Sequence, residues 1–196
     1  MGTLDGKIAI VTGAGQGVGR GIALALAKAG ASVVATGRTL ETCERTVTEI
    51  EATGGKALAL ACDVTVREQD DQMILEAIAT SGRIDVLVNN AHTSRPLTLI
   101  EDTSQADLEL AFQGFQGMFH CMQAGFPHLK QSRGAVINLG SVAGIRGDAG
   151  FSAYAAAKEA VRAFSRSGVR SSAFSACTRP FFANAAMRMP CSGLAW

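Results

Sequence analysis

An apolar run, Ile8-Ala9-Ile10-Val11, ends in a glycine-rich turn, Thr12-Gly13-Ala14-Gly15-Gln16-Gly17-Val18-Gly19. A helical pattern at Ile22, Leu26 and Ala29 leads out of it. No other stretch restricts the fold as much. A strand that breaks on glycines and restarts as a helix makes a phosphate site. Glycines turn the backbone sharply and let a pyrophosphate approach with no Cβ in the way. The helix N-terminus adds unpaired N–H groups and the positive end of its dipole. An ordinary strand–turn–helix corner would use the same glycines. The spacing is not G-x-G-x-x-G, since Val18 and Arg20 sit where third glycines would fall, and no Gly-Lys-Ser/Thr marks a phosphate loop. It is T-G-x-x-x-G-x-G, on Gly13, Gly17 and Gly19.

Strand and helix patterns alternate along the chain. The first strand covers about residues 7–11 and its helix stops at Gly30. A second strand over about 32–35 precedes a helix capped by Thr39, with Leu40, Cys43, Val47 and Ile50 on one face, ended by Gly54-Gly55. A third strand, about 57–61, precedes Thr65-Val66-Arg67-Glu68, which reads as a capping box for a helix ending at Gly82. A fourth strand covers about 84–88. Ser104 to Asp107 then caps a helix with Leu108, Ala111, Phe112, Phe115, Phe119 and Met122 on one side, and a fifth strand follows at about 135–139. Short apolar strands separated by amphipathic helices imply a parallel sheet covered on both faces. The expected fold is α/β: a doubly wound, Rossmann-like, three-layer αβα sheet, with its ligand crevice beyond the C-terminal ends of the strands.

At 196 residues, 47% hydrophobic and 18% charged, the chain fits one domain of compact cytosolic type. A net charge of +1 gives no electrostatic case for nucleic acid or an anionic membrane. The five cysteines are odd in number and lack C-x-x-C spacing, so free thiols in a reducing compartment are expected. No signal peptide or membrane-spanning run is evident. The three histidines lack metal-ligand spacing, so no metal is expected. These readings place the chain in the cytoplasm.

The unusual residues fall at strand ends. The second strand ends in Thr36-Gly37-Arg38, with no acid for ribose hydroxyls and a guanidinium that suits a phosphate. The fourth ends in Asn89-Asn90-Ala91-His92. The fifth runs into Gly140-Ser141, and thirteen residues after Ser141 stands Tyr154, with Lys158 four further on the same helix face. Tyr154 is the only tyrosine. Carbonyl reduction by hydride needs a proton donor. A free tyrosine ionises near 10, and a neighbouring lysine cation lowers that value. Ser141 can donate to an oxygen on which charge grows.

The glycine turn, Asn-Asn-Ala, a serine ending strand five and Y-x-x-x-K occur together in one order. That order resembles the short-chain dehydrogenase/reductase family over about residues 5–167. The resemblance implies an oxidoreductase moving a hydride between a nicotinamide cofactor and a carbonyl or secondary alcohol, with catalytic Ser141, Tyr154 and Lys158. It implies cofactor contacts at Gly13, Gln16, Gly17, Val18, Gly19, Arg38, Asp63, Val64, Asn89, Ala91, Tyr154 and Lys158. Arg38 in place of an acid favours NADP(H) over NAD(H), although it also reads as a solvated loop residue. Asp63 and Val64 would lie along the adenine, although Asp63 also reads as a turn residue. His92 replaces the family's glycine, which is tolerable where φ is not positive. The family's usual proton-relay asparagine, three residues before a glycine, corresponds to Gly114 before Gly117.

Beyond Ser167 the resemblance fails. No acid follows Glu159, and Pro180 precedes Phe181 where the family has Pro-Gly. The C-terminal strands and substrate lobe are expected to be missing or altered, leaving strand five with an unpaired edge. The domain reading is 1–167 for the nucleotide-binding and catalytic domain and 168–196 for a divergent tail. That tail reads as a truncated or out-of-frame end, or as a short native one. The alternative function is a non-catalytic nucleotide binder or an unstable truncated form. The partners expected are a small carbonyl or alcohol substrate and a second copy of the chain, through helices around 104–126 and 152–167.

Overall fold

The structure, a computed structural model, describes residues 2–93, 98–168 and 175–177. Six parallel strands form one sheet: β1 (Ile8–Thr12), β2 (Ser32–Gly37), β3 (Lys56–Ala61), β4 (Val86–Asn89), β5 (Ala135–Asn138) and β6 (Ser175–Cys177). Their order is β3-β2-β1-β4-β5-β6. The order reverses between β1 and β4, so their C-terminal ends frame the crevice. The helices are α1 (Gly17–Lys28), α2 (Leu40–Ala52), α3 (Arg67–Ser81), α4 (Gln105–Ser132), α5 (Val142–Arg146) and α6 (Ser152–Gly168).

Alternation along the buried strands builds two cores, one on each face. Ala9, Val11, Val33 and Ala35 pack with Ile22, Leu26 and Ile50 of α1 and α2. Ile10, Val34, Leu87 and Val136 pack with Met73, Ile74, Cys121 and Leu129 of α3 and α4. The doubly wound, three-layer expectation therefore holds.

Three local expectations are corrected, and the buried face of α4 is defined. Thr39 is the N-cap of α2, but its hydroxyl makes no cap bond. The capping box at Thr65 does not form: Val66 is the N-cap of α3, and the Thr65 N–H and hydroxyl both donate to Asp63 Oδ1 (3.0 and 2.8 Å). Thr65 is held in a local Asx turn on Asp63, and the helix starts one residue later, from Val66. On α4 the buried face is Ala111, Gly114, Met118, Cys121, Gly125 and Leu129. The phenylalanine side is only half-buried. Phe115 and Phe119 meet Phe164 of α6 edge-on, each at 5.7 Å between ring centroids. Finally, β5 is not left as a bare edge. Residues 175–177 pair with residues 135–137 in parallel register. The remaining tail expectations, including Pro180-Phe181, lie outside the described residues. By contrast, the Ser104–Asp107 capping box on α4 forms as read, with Asp107 N–H on Ser104 Oγ at 3.2 Å and Ser104 N–H on Asp107 Oδ2 at 3.0 Å.

The second core contains a fully buried carboxyl, Asp70. Cys62 and Cys121 thiols donate to its Oδ1 at 3.4 and 3.2 Å. Its Oδ2 lacks a hydrogen-bond partner among the described residues. Burial raises this carboxyl from 3.8 to about 6, against the lowering effect of the two thiols. The folded chain therefore holds a proton that the unfolded chain gives up. Stability from this group falls as pH rises from about 4 to about 6 and stays low above that window. Asp70→Asn is expected to stabilise the chain by about 2 kcal/mol near pH 8, with the gain vanishing below about pH 4. Urea unfolding across that pH range measures it.

Candidate active site

The glycine turn is fixed by residues 77 to 79 positions away. Thr12 Oγ1 accepts from the Asn90 and Ala91 N–H groups at 3.1 and 3.0 Å. Asn90 Nδ2 donates to the Thr12 and Gly13 carbonyls at 2.9 and 3.3 Å. This staple is why Gly13 and Gly19 must lack side chains. A Cβ on Gly13, which has φ +67°, would lie 2.8 Å from Asn90 Nδ2. One on Gly19 would lie 2.2 Å from the Gly13 carbonyl oxygen. Asn90 was not among the residues singled out from the sequence; its signal was the doubled asparagine at the end of β4.

Gly17 differs. It has φ +54° and a Cβ there would meet nothing within 4 Å. It opens on the crevice at the start of α1, whose N-cap Gln16 makes no side-chain cap bond. Val18 beside it is 48% exposed, an apolar side chain left in the open at the same turn. Arg38 is exposed just past β2 and has no ion-pair partner among the described residues. An open backbone cradle at a helix N-terminus with a free guanidinium nearby fits a dinucleotide phosphate.

Asp63 and Val64 follow β3. One Asp63 carboxylate oxygen is occupied by Thr65, and the Asp63 N–H donates to Gln69 Oε1 at 2.8 Å. Val64 lies against α4 at Gly117, where a Cβ would come within 2.5 Å of the Val64 carbonyl oxygen. Asn89 is buried, and its Nδ2 donates to Asn138 Oδ1 at 2.8 Å. Asn138 Nδ2 in turn donates to Ser165 Oγ at 2.8 Å. These two asparagines are register partners on β4 and β5. The Asn89 side chain thus ties the sheet to α6, while Ala91 stays beside the glycine turn.

Across β4 and β5 the chemical residues converge. Ser141 is the N-cap of α5 and its Oγ accepts from Ala143 N–H at 3.2 Å. That leaves the hydroxyl hydrogen for a substrate oxygen. Ser141 and Tyr154 line one cleft of about 420 Å³ with His92, Ala111, Asp148 and Phe151. Lys158 is 7% exposed; its Nζ donates to the Leu139 carbonyl at 2.9 Å and lies 5.8 Å from the centre of the Tyr154 ring. Burial lowers the Lys158 ammonium to about 8. His92 is set against Tyr154 at 5.0 Å between ring centroids, nearly perpendicular at 71°. Its φ is not positive, so histidine in place of glycine is unstrained. Gly114 faces it across the cleft wall: a Cβ there would come within 2.3 Å of His92 Nδ1.

Comparison with known proteins agrees with this arrangement. The short chain dehydrogenase family profile matches residues 7–174. A 12alpha-hydroxysteroid dehydrogenase of Clostridium sp. is 43% identical over 85% of this chain and 67% of its own length. A 3-oxoacyl-(acyl-carrier-protein) reductase of Thermotoga maritima is 33% identical over 81% of this chain and 65% of its length. A crystal structure from Sinorhizobium meliloti 1021, provisionally assigned as a short-chain alcohol dehydrogenase, superposes with a TM-score of 0.80. It has 35% identity over 85% of this chain and 66% of that one. The chain thus spans about two thirds of the length of the relatives it matches. No helix among the described residues is long and apolar enough to cross a membrane. A T-G-x-x-x-G-x-G turn on a doubly wound sheet, a serine beyond β5, and Tyr154 four residues before Lys158 on α6 coincide with that family match, and the chain belongs to the short-chain dehydrogenase family.

Proposed function

We propose that the chain is an oxidoreductase moving a hydride between NADP(H) and a carbonyl or secondary alcohol, with residues 1–167 as the nucleotide-binding and catalytic domain. The observation that carries this reading is the convergence of Ser141 and Tyr154 on one cleft with the buried Lys158 behind them. When bound, the nicotinamide supplies the hydride. The residues do the rest. Ser141 donates to the substrate oxygen and holds the charge that grows there. Tyr154 gives that oxygen its proton, or takes it in the reverse direction. Lys158 supplies the cation beside the phenol and donors for a ribose hydroxyl. The turn residues Gly13, Gln16, Gly17, Val18 and Gly19 would hold the pyrophosphate. Ala91 would border the ribose, with Asn89 fixing that strand end. Asp63 and Val64 would border the adenine.

Arg38 supports NADP(H), because an exposed guanidinium without an acid nearby favours a phosphate over ribose hydroxyls. Calorimetric titration should give tighter binding for NADPH than for NADH. Arg38→Ala should weaken NADPH by roughly tenfold or more and leave NADH nearly unchanged, since a charge-assisted bond contributes about 1.5–3 kcal/mol. Equal affinities for the two cofactors would count against the assignment.

Relatives named for hydroxysteroids and for 3-oxoacyl thioesters set the first substrates to assay, ketosteroids and 3-oxoacyl thioesters. The half-buried phenylalanines of α4 and α6 are the surface through which we expect two copies to pair. A second reading, nucleotide binding without catalysis, draws on Gly114, which offers no side chain toward Tyr154. Cofactor binding with no turnover on any carbonyl would select it.

A further inference from the structure

The face of α6 that carries Tyr154 and Lys158 continues into the interior. Residues 154, 158, 161 and 165 return to one side of the helix. Exposure falls along it, from 7% at Lys158 to 5% at Val161 and 1% at Ser165. The end of β5 grips this face at two points. The Leu139 carbonyl accepts from Lys158 Nζ at 2.9 Å. Asn138 Nδ2 donates to Ser165 Oγ at 2.8 Å, about 10 Å further along the helix axis. The first point is a long flexible stem. The second joins two short buried side chains. The Ser165 hydroxyl hydrogen goes to the Val161 carbonyl at 2.7 Å, which leaves its lone pairs for Asn138. Asn138 Oδ1 accepts in turn from Asn89 Nδ2 at 2.8 Å, and Leu139 N–H donates to the Asn89 carbonyl at 3.1 Å.

Polar side chains in a core cost stability unless each is hydrogen-bonded. Here Asn89 Oδ1 is buried with no partner among the described residues. Apolar residues of similar size would need no partners at all. A hydrogen-bonded pair supplies what they lack, which is direction. An apolar contact tolerates sliding and rotation, whereas a donor and acceptor in a buried network hold one geometry. We propose that Ser165 is a positioning residue for the reaction. Through Asn138 it sets how α6 is turned against the ends of β4 and β5, and so where Tyr154 and Lys158 stand relative to Ser141. Ser141 lies just beyond Asn138 on the same strand end. One strand end therefore carries both the cleft hydroxyl and the bond that orients the phenol. At the roughly 5–6 Å outer radius of a helix, a turn of about 10° moves a side-chain tip by about 1 Å. A misplacement of about 1 Å can cost about 10²-fold in rate.

The inference rests on the reading of Tyr154 as the acid–base group, and the test separates the two. In Ser165→Ala, kcat for ketone reduction should fall by roughly ten- to a hundredfold with KM little changed. Ser165→Cys keeps the volume but offers a weak acceptor, so it should behave like Ser165→Ala. Two double variants show what Ser165 acts through. Ser165→Ala added to Asn138→Ala should cost little more than Asn138→Ala alone, because both break one connection. Ser165→Ala added to Tyr154→Phe should likewise cost little more, because the phenol it orients is already gone. A merely structural role would instead add its full loss in the Tyr154→Phe background. Circular dichroism and thermal melts check folding, and rates are taken well below each melting temperature. Parental kcat in both Ser165 variants, or additive losses in either double variant, overturns the proposal. If Tyr154→Phe keeps the parental rate, the acid–base reading itself fails. If Tyr154→Phe is slow while Ser165→Ala turns over like the parent, only the role of Ser165 falls.

Discussion

Tyr154→Phe is expected to give a folded chain whose carbonyl-reducing turnover is lower by about 10²–10⁴. The substitution removes one oxygen and keeps the ring. The ring contacts of Tyr154, with His92 at 5.0 Å and Phe151 at 5.9 Å between centroids, need only the ring. Stability should therefore change little. Ser141 can still donate to the substrate oxygen, but no positioned group then hands it a proton. Lys158 does not substitute, because its Nζ lies 5.8 Å from the centre of the Tyr154 ring and off the lining of the cleft that holds Ser141 and Tyr154. Cofactor affinity should stay within a few-fold, since the glycine turn is untouched. Turnover on a ketone panel, with NADPH titration and thermal melts on the same preparations, measures all three quantities. A rate near that of the parent would remove Tyr154 from the chemistry.

Gly19→Ala is expected to damage the glycine turn severely. Its Cβ would lie 2.2 Å from the Gly13 oxygen, 2.4 Å from Asn90 Nδ2 and 2.8 Å from the Gly13 carbonyl carbon. Two of these three are backbone atoms that cannot swing away. The third belongs to the staple joining the turn to β4. Forcing a methyl into such a place costs typically 1–3 kcal/mol, or roughly 3–10 °C in Tm for a chain of this size. It also displaces the phosphate cradle, so NADPH affinity should fall by about tenfold or more. Gly17→Ala is the control. It carries a left-handed φ of +54° but meets open space, so its cost should be only about 1–2 kcal/mol of backbone strain. Melting curves and calorimetry on both variants test the order. Should Gly17→Ala prove the more destabilising, the Asn90 staple does not hold the turn.

The two expectations draw on different kinds of information. The Tyr154 and Lys158 pairing was legible because four residues along a helix return to one face. The order of strands and helices was legible because a four- to six-residue apolar run and a three-to-four periodicity are both local patterns. The glycine turn was legible for the same reason.

The Asn90 staple, the Asn89–Asn138–Ser165 ladder and the covering of β5 by residues 175–177 were not. Each depends on which strands become neighbours in space. The failed cap at Thr65 shows the limit even at short range. Its hydroxyl and N–H close on Asp63, and the helix starts one residue later than read, at the Val66 cap. Which face of α4 is buried was not legible either, because it is set by small residues that let α4 lie close to Val64 and His92.

By itself the sequence determined the alternation of elements, the position of the phosphate turn and the presence of Ser141, Tyr154 and Lys158, since these are written in short-range spacing. Only the tertiary structure decided that His92 and Gly114 belong together. The two lie 22 positions apart on different elements, and what couples them is that two side chains cannot occupy one volume in a close-packed interior.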